Sequence, residues 1–358
     1  MKTLDTVTYT FQDLQNWKNS TTPKRPLYNS LEREECKESR SANAERTHVL
    51  KALSTGTTQQ SSAQVELYSG LPNLAVIGCP IAHSLSPVMH NAALSEISRQ
   101  NPSFAFWHYY RFHITPEELP QALVHFHQNN FIGLNVTIPH KIAIVPHLQM
   151  VEKNAHAIGS VNTLLRIPQG YQGFNTDGYG LEKALQITLN TSLKNATVIL
   201  LGAGGASKIA AFLSIQSKAK SLWVGNRAPE HLHQLMDTLP ASPHTEIRPF
   251  NLHDLPKELP KTGLLINATS LGLHTDDPLP INLSHFDSSL KVFDMIYNPF
   301  ETPLLIEANK RGMACANGLW MLIEQGAQAL MTWSHLSEIP INTMYTALQN
   351  ALKPLVTC

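Results

Sequence analysis

The sequence has little that would hold a metal, cross a bilayer or grip a polyanion. Its 4 cysteines, Cys36, Cys79, Cys315 and Cys358, are scattered without framework spacing. That pattern points away from a disulfide scaffold and toward a reduced compartment, so the cytoplasm is the expected location. Histidine is plentiful, at 17, yet neither HExxH nor CxxC occurs, and His231 and His233 stand only two apart; no metal is expected. Lys plus Arg equals Asp plus Glu at 27 each, which argues against a nucleic-acid or anionic-membrane footprint. No run approaches the roughly 18 apolar residues of a membrane span, and no apolar signal segment opens the chain. There is no internal repeat. The expected partner is a small molecule, with monomer and homodimer both open.

What is present is a globular chain of 358 residues, 42% hydrophobic, long enough for two cores. Residues 1–70 differ from the rest. They mix acidic and basic residues (LEREECKESR), then run through STGTTQQSSAQ with few apolar residues at any period. They read as a poorly ordered extension with a short helix near 48–53, and their acidic content argues against a transit peptide.

From Leu74 strand and helix patterns alternate, which implies α/β layering. A strand over 74–78 ends at Pro80. A helix follows, with Ser86 as N-cap and Pro87 in its first turn. A strand over 104–112 leads to Thr115 and Glu118, spaced as a capping box for a helix to about Gln128. The next strand, 131–136, belongs to GLNVTIPHK (133–141). Pro139 lacks the N–H a ladder needs, so the strand should stop there and leave Lys141 just past its end. A lysine held near a carbonyl and partly desolvated can protonate it as it is reduced. Alone, Lys141 would read as a surface lysine after a turn. A helix over 151–157 and two strands, the second running to Asp177, come next.

The strand 197–201 (TVILL) runs straight into GAGGAS, and Ala206, Ile209, Ala210 and Leu213 then recur at helical spacing. Strand, glycine turn and helix is the context of a dinucleotide site. There the backbone of Gly202, Ala203, Gly204, Gly205 and Ala206 can approach a pyrophosphate at a helix N-terminus. The second strand, 221–224, ends in Gly225, Asn226 and Arg227. An arginine rather than an acid at this point favours the extra phosphate of NADP over NAD. Strands over 264–268 and 291–296, an amphipathic helix over 317–333 with Gln325 off the centre of its apolar stripe, and a last helix over 341–352 complete the pattern.

Five polar motifs thus fall at strand or helix ends: SLS (Ser84, Ser86), NVTIPHK, GSVNT (Asn162), NTD (Asp177) and MLIEQ (Gln325). With GAGGA, NATSLG and DMIYNP they resemble the shikimate dehydrogenase family, in its order and near its spacings, from Leu74 to the C-terminus. The resemblance implies NADPH-dependent reduction of 3-dehydroshikimate to shikimate, on the route to chorismate and the aromatic amino acids. It implies Lys141 as catalytic lysine with Asp177 as its partner. Ser84 and Ser86 would face the substrate carboxylate, and Thr137, Asn162, Asp177 and Gln325 its hydroxyls. Tyr297 would also lie at the substrate, and Ile296 and Gly318 at the nicotinamide.

The implied layout is two α/β domains with a cleft between them: a substrate domain of residues 71–176 plus 317–358, and a Rossmann-like NADP domain of 177–316. Three features depart from the family. Asn226-Arg227-Ala228-Pro229-Glu230 lacks the usual threonine and second cation, Trp320 stands where a small residue is common, and the extension has no counterpart. At 70 residues the extension is too short for a fused barrel enzyme of about 200 or more. Two alternatives follow: an NAD-dependent quinate/shikimate dehydrogenase, and a non-catalytic ligand-binding regulator on the same scaffold.

Overall fold

The computed structural model describes residues 7–17, 71–274 and 276–352. Two sheets, each with its own pair of apolar clusters, make up the chain. The first sheet contains β1 (Tyr9–Thr10), β2 (Asn73–Gly78), β3 (His108–His113), β4 (Phe131–Val136), β5 (Met150–Val151), β6 (Thr163–Ile167) and β7 (Gly170–Phe174), in the order β1-β3-β2-β4-β6-β7-β5. Its central strands are apolar on both faces because both are covered. Ala75 and Ile77 enter one cluster while Leu74 and Val76 enter the other, as period-two side chains must.

The second sheet contains β8 (Thr197–Leu201), β9 (Ser221–Asn226), β10 (Glu246–Asn251), β11 (Leu264–Asn267), β12 (Lys291–Asp294) and β13 (Cys315–Asn317). All pairings are parallel, in the order β10-β9-β8-β11-β12-β13. This is the doubly wound arrangement, whose ligand crevice lies beyond the carboxyl ends of the strands where the order reverses, at β8 and β11.

Helices α1 (Phe11–Gln15), α2 (Ser86–Gln100), α3 (Leu119–Gln128), α4 (His140–Ala143) and α5 (Lys153–Ile158) accompany the first sheet. Then α6 (Asp177–Leu189), α7 (Gly205–Gln216), α8 (Pro229–Thr238) and α9 (Pro303–Lys310) accompany the second, and α10 (Leu319–Ser334) and α11 (Ile341–Leu352) return. Two of these join the halves. Helix α6 starts at the edge of the first sheet and buries Leu181, Ala184, Leu185 and Leu189 in the second core. Helix α10 runs back and buries Leu319, Ile323, Leu330 and Trp333 in the first. They cross at Gly180, where an added Cβ would meet the Met321 carbonyl oxygen at 2.6 Å and Gln325 Cβ at 2.9 Å.

Several expectations need correction. The start of the chain is not wholly unstructured: within 7–17, β1 pairs with β3, and Leu14 and Trp17 are buried beside Tyr110, Phe112 and Phe131. Sequence periodicity missed this because a two-residue strand and a five-residue helix are too short to show any. The helix expected near 48–53 lies outside the described residues. Ser86 is not the cap of α2 but its first helical residue; Leu85 caps, without a side-chain bond. The strand expected from 104 begins at His108, after a short 3-10 turn over Pro102–Phe104. Only half of the expected capping box forms. The Thr115 N–H donates to Glu118 Oε2 at 2.8 Å, and α3 starts after it. The helix expected over 151–157 is α5, preceded by the two-residue β5. The strand expected to reach Asp177 stops at Phe174, and Asp177 opens α6. Ala206 lies exposed rather than on the apolar face of α7. Trp320 stacks on Tyr345 of α11 at 5.0 Å, so its ring is taken up in helix packing.

Candidate active site

Strand direction explains why distant residues meet. Strand β6 is antiparallel to both β4 and β7, so Thr163 at its start pairs with Asn135 near the end of β4 and with Phe174 at the end of β7. Lys141 after β4, Asn162 before β6 and Asp177 after β7 therefore share one edge. Lys141 sits in α4, held by two anchors: His140 Nε2 lies 2.7 Å from the Ile114 carbonyl oxygen, and the Lys141 carbonyl accepts from Val161 N–H at 2.8 Å.

Lys141 Nζ donates to Asp177 Oδ2 at 2.6 Å, and the two side chains are 25% and 9% exposed. The ammonium keeps an opening to the cleft while the carboxylate is almost enclosed. Asn162 Nδ2 donates to Asp177 Oδ1 at 2.8 Å and to Thr176 Oγ1 at 3.0 Å, and reaches Gln325 Oε1 at 3.4 Å. Its Oδ1 accepts from Thr176 N–H at 2.8 Å and from the Thr163 hydroxyl at 2.9 Å. The amide is thus anchored on Asp177, Thr176 and Thr163 beside the lysine–carboxylate pair. Gln325 is buried rather than peripheral, and Gln325 Nε2 donates to Leu322 O at 2.8 Å.

Behind this group lies a relay that sequence reading did not single out. The Tyr109 hydroxyl donates to Asn135 Oδ1 at 2.7 Å, and Asn135 Nδ2 donates to the Asn162 carbonyl and to Thr163 Oγ1, both at 3.1 Å. The same hydroxyl faces the Ser86 side chain. Burial pushes the Tyr109 phenol well up, so it stays a neutral donor. One sequence signal existed: Asn135 is the one polar side chain in the apolar strand FIGLNV. His90 stacks on Tyr109 at 4.2 Å, and burial pulls it down to about 3. Neither of its ring nitrogens is hydrogen-bonded among the described residues.

Ser84 and Ser86 lie in one turn, with the Ser86 N–H 3.4 Å from Ser84 Oγ. Thr137 is partly buried and binds through its backbone, its N–H donating to Ile77 O at 3.0 Å. The Thr137 carbonyl also accepts from the His140 N–H at 2.8 Å, which ties it to the turn that carries Lys141. Gly318 N–H donates to the Ile296 carbonyl at 3.1 Å, and Gly318 has no room for a Cβ against Met295 O, so these two residues come together at the end of β12. Tyr297, next to them, packs against the apolar cluster of α2 and α10, and burial raises its phenol.

The segment 295–302 is held by Asp294, another residue not singled out. Its carboxylate accepts from Ile296 N–H at 3.1 Å, Asn267 Nδ2 at 3.0 Å and the Thr302 hydroxyl at 2.7 Å. Burial nevertheless raises it to about 6, despite those bonds. The folded protein then holds this proton through a window from about pH 4 to 6 where the unfolded chain has lost it. Stability from this group therefore falls as pH rises through that window, by about 3 kcal/mol in all. Asp294→Asn should flatten the pH dependence of thermal unfolding between pH 4 and 6 relative to the parent. An unchanged profile would show that Asp294 titrates normally.

At the carboxyl ends of β8 and β11 a cavity of about 250 Å³ is lined by Gly202, Ala203, Gly204, Asn226, Arg227, His231, Ala268, Thr269, Ser270 and Leu271, among others. Gly204 and Gly205 face open space at the start of α7, so the helix N-terminus is accessible to a phosphate. Ala206 is exposed on the same turn. Asn226 Nδ2 donates to Ala228 O at 2.9 Å and shapes the turn, while Arg227 is exposed and has no salt-bridge partner among the described residues. His231 stands in the same cavity, although the sequence offered no clear second cation there. These residues fit a phosphorylated dinucleotide. Among the described residues no cluster could hold a metal ion, and no helix is long and apolar enough to cross a membrane.

A Rossmann sheet with an open phosphate turn, joined by two helices to a sheet whose edge carries a lysine–carboxylate pair, defines the class: a two-domain, dinucleotide-dependent oxidoreductase. Comparison with known proteins narrows it. Residues 76–164 match the model of the shikimate dehydrogenase substrate binding domain, and residues 182–275 that of shikimate / quinate 5-dehydrogenase. The shikimate dehydrogenase (NADP(+)) of Geobacillus sp. (strain WCH70) is 38% identical over 262 residues, 73% of this chain and 91% of that protein. That of Geobacter metallireducens is 35% identical, covering 78% and 96%. Shikimate 5-dehydrogenase from Thermus thermophilus, solved in complex with NADP(H) and shikimate, superposes with a TM-score of 0.68 at 33% identity, over 78% of this chain and 99% of that one. The chain belongs to the shikimate dehydrogenase family.

Proposed function

We propose that this chain catalyses the reversible, NADPH-dependent reduction of 3-dehydroshikimate to shikimate, a step toward chorismate and the aromatic amino acids. The observation that carries it is the Lys141–Asp177 pair, 2.6 Å apart at the edge of a sheet that family members use for substrate. The cofactor, when bound, supplies or takes up the hydride. Gly202 to Ala206 would hold its pyrophosphate, Arg227 and His231 its extra phosphate, and Ile296 and Gly318 its nicotinamide side.

Lys141 gives a proton to the ketone oxygen as charge develops there, and takes it back in the reverse direction. Asp177 fixes the ammonium and accepts from a ring hydroxyl. Asn162 orients Asp177, which fits an amide already engaged at 2.8 Å on that carboxylate. Ser84 and Ser86 donate to the substrate carboxylate, and Thr137, Gln325 and Tyr297 meet the rest of the ring. Losing one such bond while its partner stays buried costs about 1–3 kcal/mol, which is how a polar pocket rejects analogues lacking a hydroxyl. Balanced charge and scattered cysteines support a cytoplasmic enzyme that needs only small molecules and no nucleic acid, acting as monomer or homodimer.

Initial rates with shikimate and quinate against NADP and NAD test the reading. Shikimate with NADP should be favoured. Arg227→Ala should raise KM for NADP about 10- to 100-fold and leave NAD turnover nearly unchanged, since a charge-assisted bond is worth about 1.5–3 kcal/mol. Equal loss with both cofactors would remove Arg227 from phosphate recognition.

A further inference from the structure

We propose that Arg111 is a positioning residue for substrate, fixing the Ser84–Ser86 turn, and that residues 7–17 are the strap that holds Arg111 in place. The proposal rests on the reading of Ser84 and Ser86 as substrate donors.

Arg111 lies mid-way along β3 and is 4% exposed. A guanidinium this deep persists only where its donors find acceptors. Two of these acceptors come from separate parts of the chain. Arg111 Nη1 donates to the Ser84 carbonyl at 2.8 Å, and Nε donates to the Thr8 hydroxyl at 2.9 Å. The planar guanidinium sets both directions at once, so the position of Thr8 constrains the approach to Ser84. By covalent geometry the cation then lies within about 7 Å of the Ser84 hydroxyl.

Thr8 is held in turn by the strap. Tyr9 and Thr10 pair with Phe112 and His113, the two residues that follow Arg111 on β3. Tyr9 and Trp17 pack edge to face at 5.3 Å, and Trp17 meets Tyr110 at 5.0 Å and Phe131 at 5.6 Å. Thr10 and Asp13 close a reciprocal cap that starts α1. The strap lies outside the stretch that matches the family's substrate-domain model, which begins at residue 76. Alternation along β3 adds an independent observation. Tyr109, Arg111 and His113 share one face, and each reaches a different part of the site wall: Asn135, Ser84 and Cys79, the last with Sγ 3.5 Å from His113 Nε2. The opposite face, Tyr110 and Phe112, belongs to the apolar core.

The test uses the full chain and steady-state oxidation of shikimate with NADP. Arg111→Met should raise KM for shikimate at least ten-fold, with kcat within about two-fold and KM for NADP unchanged. Thr8→Val, which removes only the hydroxyl, should raise the same KM about three-fold. Arg111→Lys, keeping the charge without the two-pronged reach, should fall between Arg111→Met and the parent. A folded Arg111→Met with parental KM overturns the proposal; if that variant does not fold, a parental KM in Thr8→Val overturns it. A purely structural arginine would lower the melting temperature and the active fraction while leaving KM alone, which also overturns it. Ser84→Ala serves as the control. If it raises KM and Arg111→Met does not, only the strap proposal falls; if Ser84→Ala leaves KM unchanged, the substrate reading of the turn falls and the proposal with it.

Discussion

Lys141→Ala is expected to lower kcat about 10²- to 10⁴-fold, the range a positioned proton donor contributes, with KM for shikimate changed by less than about three-fold. The split follows from geometry. Lys141 offers one partly exposed ammonium to the reacting oxygen, while the donors and acceptors that hold the ring sit on other elements, at Ser84, Ser86, Thr137 and Gln325. An interaction made chiefly as charge develops affects kcat and kcat/KM alike. Removing the ammonium also strands the nearly enclosed Asp177 carboxylate, so a melting temperature lowered by a few degrees should accompany the loss. Because Lys141 is a quarter exposed, solvent screens that penalty. A variant that turns over at close to the parental rate would take Lys141 out of the chemistry.

The second large effect is expected at Asn162. Its amide joins Asp177, Thr176, Thr163 and Gln325, and its carbonyl accepts from Asn135. Asn162→Leu keeps the branched shape and removes every one of those side-chain bonds. The Thr176 N–H and the Thr163 hydroxyl each lose an acceptor, and Asp177 Oδ1 loses a donor. With buried groups left unpaired at about 1–3 kcal/mol each, and some relaxation, a loss of about 3–5 kcal/mol is expected in urea unfolding. Turnover should fall as well, because Asp177 is no longer held in one orientation for Lys141. Parental stability and parental kcat together would show that the amide is incidental.

These two residues illustrate what a linear reading can and cannot reach. Lys141 was visible because Pro139 marks the end of an apolar strand, a local signal. Asp177 and Gln325 were visible as polar residues in motifs, but nothing local says that they meet. Asn162 was placed on the substrate, and its engagement with Asp177 depends on an antiparallel β6 that turns three motifs to the same edge. Tyr109 carried no signal of its own, and Thr176 and Asp294 stood in the NTD and DMIYNP motifs without a role, since a tyrosine, threonine or aspartate near a strand end looks the same whether or not it is buried against a partner. The strap was lost for another reason. Its strand and helix span barely one period of either pattern, and their burial depends on β3 and the neighbouring β4, about a hundred residues away.

The local text, through apolar runs of period two, glycines at a strand–helix turn and prolines at strand ends, determined by itself most strands of both sheets from Leu74 onward, though not β5, β10 or β13, and the set of polar side chains available for chemistry. Only the tertiary structure decided which of them touch. Lys141 and Asp177 are 36 positions apart, Asn162 and Gln325 are 163 apart, and Arg111 and Thr8 are 103 apart. Such pairings are set by strand order and direction, which depend on how whole faces are buried, and no residue encodes that in its immediate neighbours.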